Sequence, residues 1–146
     1  MHPNLAKFLT LIGHSEGTIQ VLGSDNGYNV MVGNGLFHDY SDHPRPRIWC
    51  ESIKEFSSAA GKYQIMARFF DSYKHSLNLK DFSPDSQDKI ALQMIKECHA
   101  TQPIIDGNIE LAIKACKSRW ASLPGAGYNQ HENKMQDLLN FYNQLS

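Results

Sequence analysis

Asn4-Leu5-Ala6-Lys7-Phe8-Leu9-Thr10-Leu11-Ile12-Gly13-His14-Ser15-Glu16-Gly17 is the stretch whose reading decides the fold. Leu5, Phe8, Leu9 and Ile12 recur at helical spacing behind Asn4, a capping residue type, so the chain opens with an amphipathic helix. Glu16 stands four residues beyond Ile12 and seven beyond Leu9, which puts a carboxylate on the apolar side of the last turn before Gly17 ends the helix. A charge is out of place there.

Outward from that helix the pattern changes. Gly23, Asn26-Gly27, Gly33 and Asn34-Gly35 punctuate residues 20–47, and Tyr28-Asn29-Val30-Met31-Val32 alternates as a half-buried strand does. Asn34-Gly35 suits the centre of a tight hairpin turn, where both residues need positive φ. Asp39-Tyr40-Ser41-Asp42-His43-Pro44-Arg45-Pro46-Arg47 is polar and broken by proline, and reads as an exposed loop. The helical period returns after Gly61, with Met66, Phe69, Phe70, Tyr73 and Leu77 on one face of a helix starting near Tyr63 or Gln64. Ser83-Pro84 begins the next, serine capping and proline taking the first helical position, with Ile90, Ala91, Met94, Ile95 and Cys98 as its stripe. Ile109, Ala112, Ile113, Cys116 and Trp120 mark another helix, and Met135, Leu138, Leu139 and Tyr142 the last. The sum is α+β, mostly helical with one short β excursion, in a single domain spanning residues 1–146.

Composition excludes several classes of function. Fourteen Lys and Arg against fifteen Asp and Glu leave a net charge of -1, too balanced for the cationic field of a dedicated nucleic-acid binder. No stretch approaches the roughly 20 apolar residues of a membrane span, and the start lacks the basic and apolar segments of a secretory signal. Cys50, Cys98 and Cys116 are odd in number and without CxxC spacing, which reads as buried or inert reduced thiols. His38 and His43 are not at helical pair spacing and no HExxH occurs, so no metal site is expected. Cys98-His99 are adjacent in a helix and diverge, which rules out a thiol–base pair. Gly125-Ala126-Gly127 lacks the Lys and Ser/Thr of a phosphate loop. No cofactor is implied.

Glu16 remains as the chemical candidate. Desolvation on an apolar face disfavours the charged form, and a carboxyl still protonated near neutral pH can protonate a leaving glycosidic oxygen. The plain alternative is a helix-end Glu in a salt bridge or in solvent. Most glycosidases pair two carboxylates, and Asp25, Asp39 and Asp42 are the candidates for a partner, although Asp in turn-rich sequence commonly serves local hydrogen bonds.

Taken together, the motifs Ser15-Glu16-Gly17-Thr18, Tyr28 to Gly33, Asp39 to Arg45, Ala60-Gly61-Lys62-Tyr63-Gln64, Leu79 to Pro84 and Trp120 to Tyr128 form an ordered set covering most of the chain. The set resembles the phage lambda endolysin family of lytic transglycosylases, which cleave peptidoglycan. The resemblance implies a lysozyme-like α+β fold, with the active-site cleft between a mainly helical lobe and a small β lobe, and Glu16 as the catalytic acid with no second catalytic carboxylate. Tyr63 and Gln64, with Tyr128 and Asn129, fall in motifs that line the cleft in such enzymes. Aromatic faces pack on sugar rings and amides bond N-acetyl and hydroxyl groups, although Tyr63 also suits a core position and Asn129 a helix cap. Tyr40 and Asp42 are assigned to the cleft rim. Residues Pro44 to Ser57 match the family pattern least.

The expected partner is therefore the peptidoglycan glycan strand, met by a monomer with no membrane insertion and no nucleic-acid partner. The family's route runs from the host cytoplasm to the periplasmic wall through a holin lesion. A hydrolysing muramidase using Glu16 and an Asp, or a silent glycan-binding module, are the competing readings.

Overall fold

The computed structural model describes residues 1–127 and 132–146. Helix α1 spans Pro3–Glu16 and is followed by strands β1, Ile48–Cys50, and β2, Glu55–Ser57. Five further helices follow among the described residues: α2, Ala67–Ser76, α3, Pro84–Glu97, α4, Thr101–Ile105, α5, Ile109–Cys116, and α6, Met135–Gln144. The arrangement is α+β as expected, mostly helical with a two-stranded antiparallel sheet among the described residues.

Helix α1 is the central element, packed on α3, α4 and α6. Phe8, Leu11 and Ile12 are fully buried because their stripe faces the helical lobe. Its N-cap is His2, whose Nδ1 accepts the Asn4 N–H at 3.0 Å, one residue before the proline that takes the first helical position. Asn4 does not cap, as its spacing suggested. Its side-chain amide instead donates to the Ile104 and Ile105 carbonyls at 3.2 and 3.1 Å, tying the start of α1 to the last turn of α4. At the other end Gly17 takes φ 79 and gives its N–H to the Gly13 and His14 carbonyls, which stops the helix directly after Glu16.

The β lobe differs from the sequence reading in register and in place. Val30 bridges Leu36 and Met31 bridges Ala60, as isolated pairs rather than a continuous ladder. The Asn34 N–H donates to the Met31 carbonyl at 2.9 Å, and the left-handed residues are Gly33 and Asn34, φ 84 and 71, one position earlier than Asn34-Gly35. The named hairpin lies downstream, with Trp49 opposite Phe56 and their rings edge to face at 5.1 Å. Helix α2 begins at Ala67 rather than at Tyr63 or Gln64, because Gly61 and Gln64 both have positive φ and the Ala60–Ile65 bridge closes a turn there. Helix α5 stops at Cys116, short of Trp120.

Gln87 fastens the β lobe to α3. Its side chain has no exposure, accepts the Lys62 N–H at 2.9 Å, and donates to the Tyr28 and Phe82 carbonyls at 3.1 and 2.9 Å. A Cβ on Gly61 would lie 2.4 Å from the Gln87 Oε1, so glycine is required where the chain turns beneath that amide. The next residue of α3, Asp88, accepts from the hydroxyls of Tyr28 and Tyr63 at 2.9 and 2.6 Å. All three cysteines are free; Cys116 is buried, whereas Cys50 and Cys98 are partly exposed rather than enclosed.

Gln87→Leu, close in volume, leaves three backbone groups without their partner. Denaturant unfolding should show a loss of about 3 kcal/mol; a loss within about 0.5 kcal/mol, the range of an ordinary surface substitution, would contradict this account.

Candidate active site

Because Gly17 ends α1 abruptly, Glu16 is left at the seam between the lobes, in the wall of a cleft of about 420 Å³. The same cleft is lined by Thr18 just beyond the helix, by Val30 to Asn34, by Cys50, Ser52 and Ser57 of the hairpin region, by Gln64 and Met66, and by Arg119 and Ala121. The lining therefore joins the helical lobe to both parts of the β lobe.

Each wall is fixed by hydrogen bonds that its sequence makes possible. The buried Thr18 hydroxyl donates to the Lys62 carbonyl at 2.6 Å, locking the exit of α1 against the β lobe. The Gln64 amide donates to the Val30 and Gly61 carbonyls at 3.1 and 2.9 Å. Arg119 donates to the Tyr73 hydroxyl at 3.2 Å and pairs with Glu97. Behind the acid, the hydroxyls of Ser15 and Ser122 meet at 2.8 Å, and both serines are buried. The Asn133 amide donates to Ser15 Oγ at 3.1 Å and to the Ser15 carbonyl at 3.0 Å. Nearby, Glu132 accepts the Gly125 and Gly127 N–H groups at 3.0 and 2.9 Å, and these bonds hold its carboxyl below the usual range.

Glu16 is partly exposed as a residue, but its carboxyl is enclosed. Burial pushes it from the ordinary 4.5 up to about 8, against a smaller downward pull from the Ser122 hydroxyl. It is thus predominantly protonated at neutral pH, the state a general acid needs. Among the described residues lining the cleft, Glu16 is the one carboxylate.

The other expected site residues are distributed unevenly. Gln64 lines the cleft. Tyr63, one position away, is 1 % exposed, with its hydroxyl on Asp88 and its carbonyl accepting from the Trp120 indole at 3.0 Å, so its ring is core and not a sugar platform. Tyr40 donates to Asp25 at 2.8 Å and its ring packs edge to face on Phe37. Asp42 belongs to a surface cluster with Arg45 and Asp71. Neither contributes to the lining around Glu16. Tyr128 and Asn129 lie outside the described residues. Sequence reasoning missed Ser15, Ser122, Arg119 and Asn133. The position of Ser15 beside Glu16 was the available signal, but a serine at a helix end is too common to be read alone. No group of three His, Cys, Asp or Glu that could hold a metal ion occurs among the described residues. His43 is enclosed, with Nε2 on the Ile65 carbonyl at 2.7 Å and Nδ1 accepting the Arg45 N–H at 2.9 Å, and burial lowers its pKa.

A family model described as Endolysin matches residues 6–146. The endolysin of Escherichia phage lambda is 48% identical over 134 residues, 90% of this chain and 84% of that protein. The endolysin of Escherichia phage P2 is 44% identical over 149 residues, 94% of this chain and 90% of its own length. In three dimensions the chain superposes on bacteriophage lambda lysozyme complexed with a chitohexasaccharide, with TM-score 0.94, 44% identity, and coverage of 99% of this chain and 94% of the other.

Burial of Glu16 has a consequence for stability. Folding raises its affinity for a proton, so the folded state binds more protons than the unfolded state and stability falls as pH rises from about 4.5 through about 8. Glu16→Gln removes that dependence. Its melting temperature should equal the parent's near pH 4 and exceed it increasingly up to pH 8; a gap that does not widen with pH would refute the burial of the carboxyl.

Proposed function

Since this chain belongs to the endolysin family, whose members degrade peptidoglycan in host cell lysis, we propose that it cuts the glycan strand by lytic transglycosylation. The bond broken is the β-1,4 link between N-acetylmuramic acid and N-acetylglucosamine. The observation that carries this reading is Glu16 in the cleft wall with its carboxyl buried and no second carboxylate among the described lining residues. The lambda lysozyme it resembles is complexed with a chitohexasaccharide, which supports a saccharide ligand here.

Protonated Glu16 gives its proton to the oxygen joining the two sugars, and that C–O bond breaks through an oxocarbenium-like state. The C6 hydroxyl of the muramic acid then attacks C1 and passes its proton to the Glu16 carboxylate. A 1,6-anhydro ring closes, the acid is restored, and no water is consumed. One carboxylate suffices because the nucleophile is tethered to the electrophile at high effective concentration. Gln64 provides an amide on the cleft wall, and Tyr128 and Asn129 are assigned to the saccharide side on the strength of the family motif. On this reading the enzyme works as a monomer without cofactor. It waits in the host cytoplasm and reaches the periplasmic wall once a holin opens the membrane.

Glu16→Gln keeps the shape but not the proton, and clearing of permeabilised Gram-negative cells should fall by about a hundredfold or more with the fold intact. Parent activity should decline as pH rises through about 8, where the acid is lost. Mass spectrometry of fragments from purified peptidoglycan should show anhydromuramic ends, one water lighter and inert to borohydride. Reducible ends would mean that water attacks and that the enzyme is a hydrolysing muramidase. Binding without clearing by the parent protein would make it a glycan-binding module.

A further inference from the structure

The hairpin that borders the cleft carries its aromatic rings on the side away from it. Side chains alternate along a strand, so Cys50 and Ser57, which line the cleft, lie on one face of the ladder and Trp49 and Phe56 on the other. The cleft thus receives two small side chains, while the rings stand outward, 48 % and 43 % exposed. Of the seven exposed large apolar side chains among the described residues, three fall on this ladder of three residue pairs, the third being Ile48. A two-stranded hairpin this short gains most by burying its aromatic pair, and a pair kept outward marks a contact surface.

That outer face is ordered. The Trp49 Nε1–H donates to Glu51 Oε2 at 2.7 Å, which fixes the rotation of the indole, and Lys54 pairs with the same carboxylate. Phe56 meets the indole edge to face at 5.1 Å and carries the Arg47 guanidinium 3.5 Å from its ring centre. Phe56 is therefore taken up between its neighbours, and the indole is the open platform. Arg47 forms no ion pair among the described residues, so the row bears one uncompensated positive charge.

Size and charge decide what fits there. Two half-exposed rings offer on the order of 200 Å², far below the roughly 800 Å² per partner of a stable protein interface. An anionic lipid surface would meet the Glu51 carboxylate beside the indole, and two acids against two bases over residues 47–57 give it no net attraction. One pyranose ring, by contrast, covers a single indole with its C–H face, and the peptide stem on muramic acid supplies carboxylates for a guanidinium. Peptidoglycan repeats that unit many times, so a weak platform gains by avidity once another strand is held in the cleft.

We propose that Trp49, backed by Phe56 and flanked by Arg47, is a second glycan platform that holds a peptidoglycan strand neighbouring the one being cut, with a sugar ring on the indole and a stem-peptide carboxylate on the guanidinium. The proposal rests on peptidoglycan being the substrate, but not on how the bond is broken.

The test measures co-sedimentation of the full chain with purified sacculi, in a Glu16→Gln background so that bound wall is not consumed. Trp49→Ala should weaken retention about tenfold and Trp49→Phe about threefold or less. With Glu16 intact, Trp49→Ala should turn over short soluble wall fragments within about twofold of the parent. Arg47→Gln should weaken binding to sacculi but not to glycan stripped of its stem peptides. Fluorescence needs no substitution at the platform, because Trp120 is buried and Trp49 is the exposed one of the two tryptophans. Long soluble glycan strands should shield the indole from acrylamide, and fragments only long enough to fill the cleft should not. Retention indifferent to Trp49→Ala or to Arg47→Gln, or an indole that long strands leave open to acrylamide, would overturn the proposal. Equal loss on short fragments would also overturn it, by placing Trp49 in the cleft. Retention on phosphatidylglycerol vesicles that Trp49→Ala abolishes would replace the glycan platform with a lipid-binding face. A Glu16→Gln chain that does not sediment with sacculi at all would refute the peptidoglycan reading, and the platform with it.

Discussion

Helix α1 buries its apolar stripe and then stops at Gly17, and the remainder of the site follows from those two facts. Burial of Phe8, Leu11 and Ile12 fixes the rotation of the helix about its axis, which decides where the side chain four residues beyond Ile12 must point. The left-handed glycine removes the next turn, so that side chain meets a cleft instead of more helix. Glu16 loses its water by geometry alone, and its acidity changes because the fold offers nothing that fully replaces that water. The serine donor offsets only part of the loss.

The β lobe serves chiefly as an opposing wall. Few regular strands are needed, because Gln87 and Asp88 of α3 take over work that a wider sheet would do through its own ladder. The Gln87 amide satisfies two backbone groups of the lobe and the Phe82 carbonyl just before α3, and Asp88 collects two tyrosine hydroxyls. Arginine and lysine stems complete the cover: the Lys62 ammonium lies 4.7 Å from the Tyr28 ring, and the Arg47 guanidinium lies 3.5 Å from the exposed Phe56 ring.

Where a pattern repeats over several turns, it was readable in the sequence. The stripe of α1, the Ser83-Pro84 start of α3 with Ser83 Oγ accepting the Ser86 N–H, and the carboxylate of Glu16 all follow from periodicity and capping chemistry. Patterns shorter than a turn misled. Asn4 resembled a cap, but Pro3 moves the helix start and frees the asparagine for α4. Tyr63 resembled a cleft residue, but left-handed Gln64 beside it turns the tyrosine inward and its own amide outward. The downstream hairpin was hidden because each strand has three residues, too few to show alternation. Ser122 and Asn133 were beyond reach for a different reason: what places them behind the end of α1 is Ser15, 107 and 118 residues away from them in the chain.

Those separations also bear on how the enzyme comes into being. Contacts that close loops of this size form late, after nearby segments have already coiled and collapsed. A ribosome-bound chain that has reached only α3 carries Glu16 on an amphipathic helix still open to water, and there its carboxyl ionises as any free glutamate does. The altered acidity of Glu16 thus belongs to the completed fold and not to the helix that carries the residue.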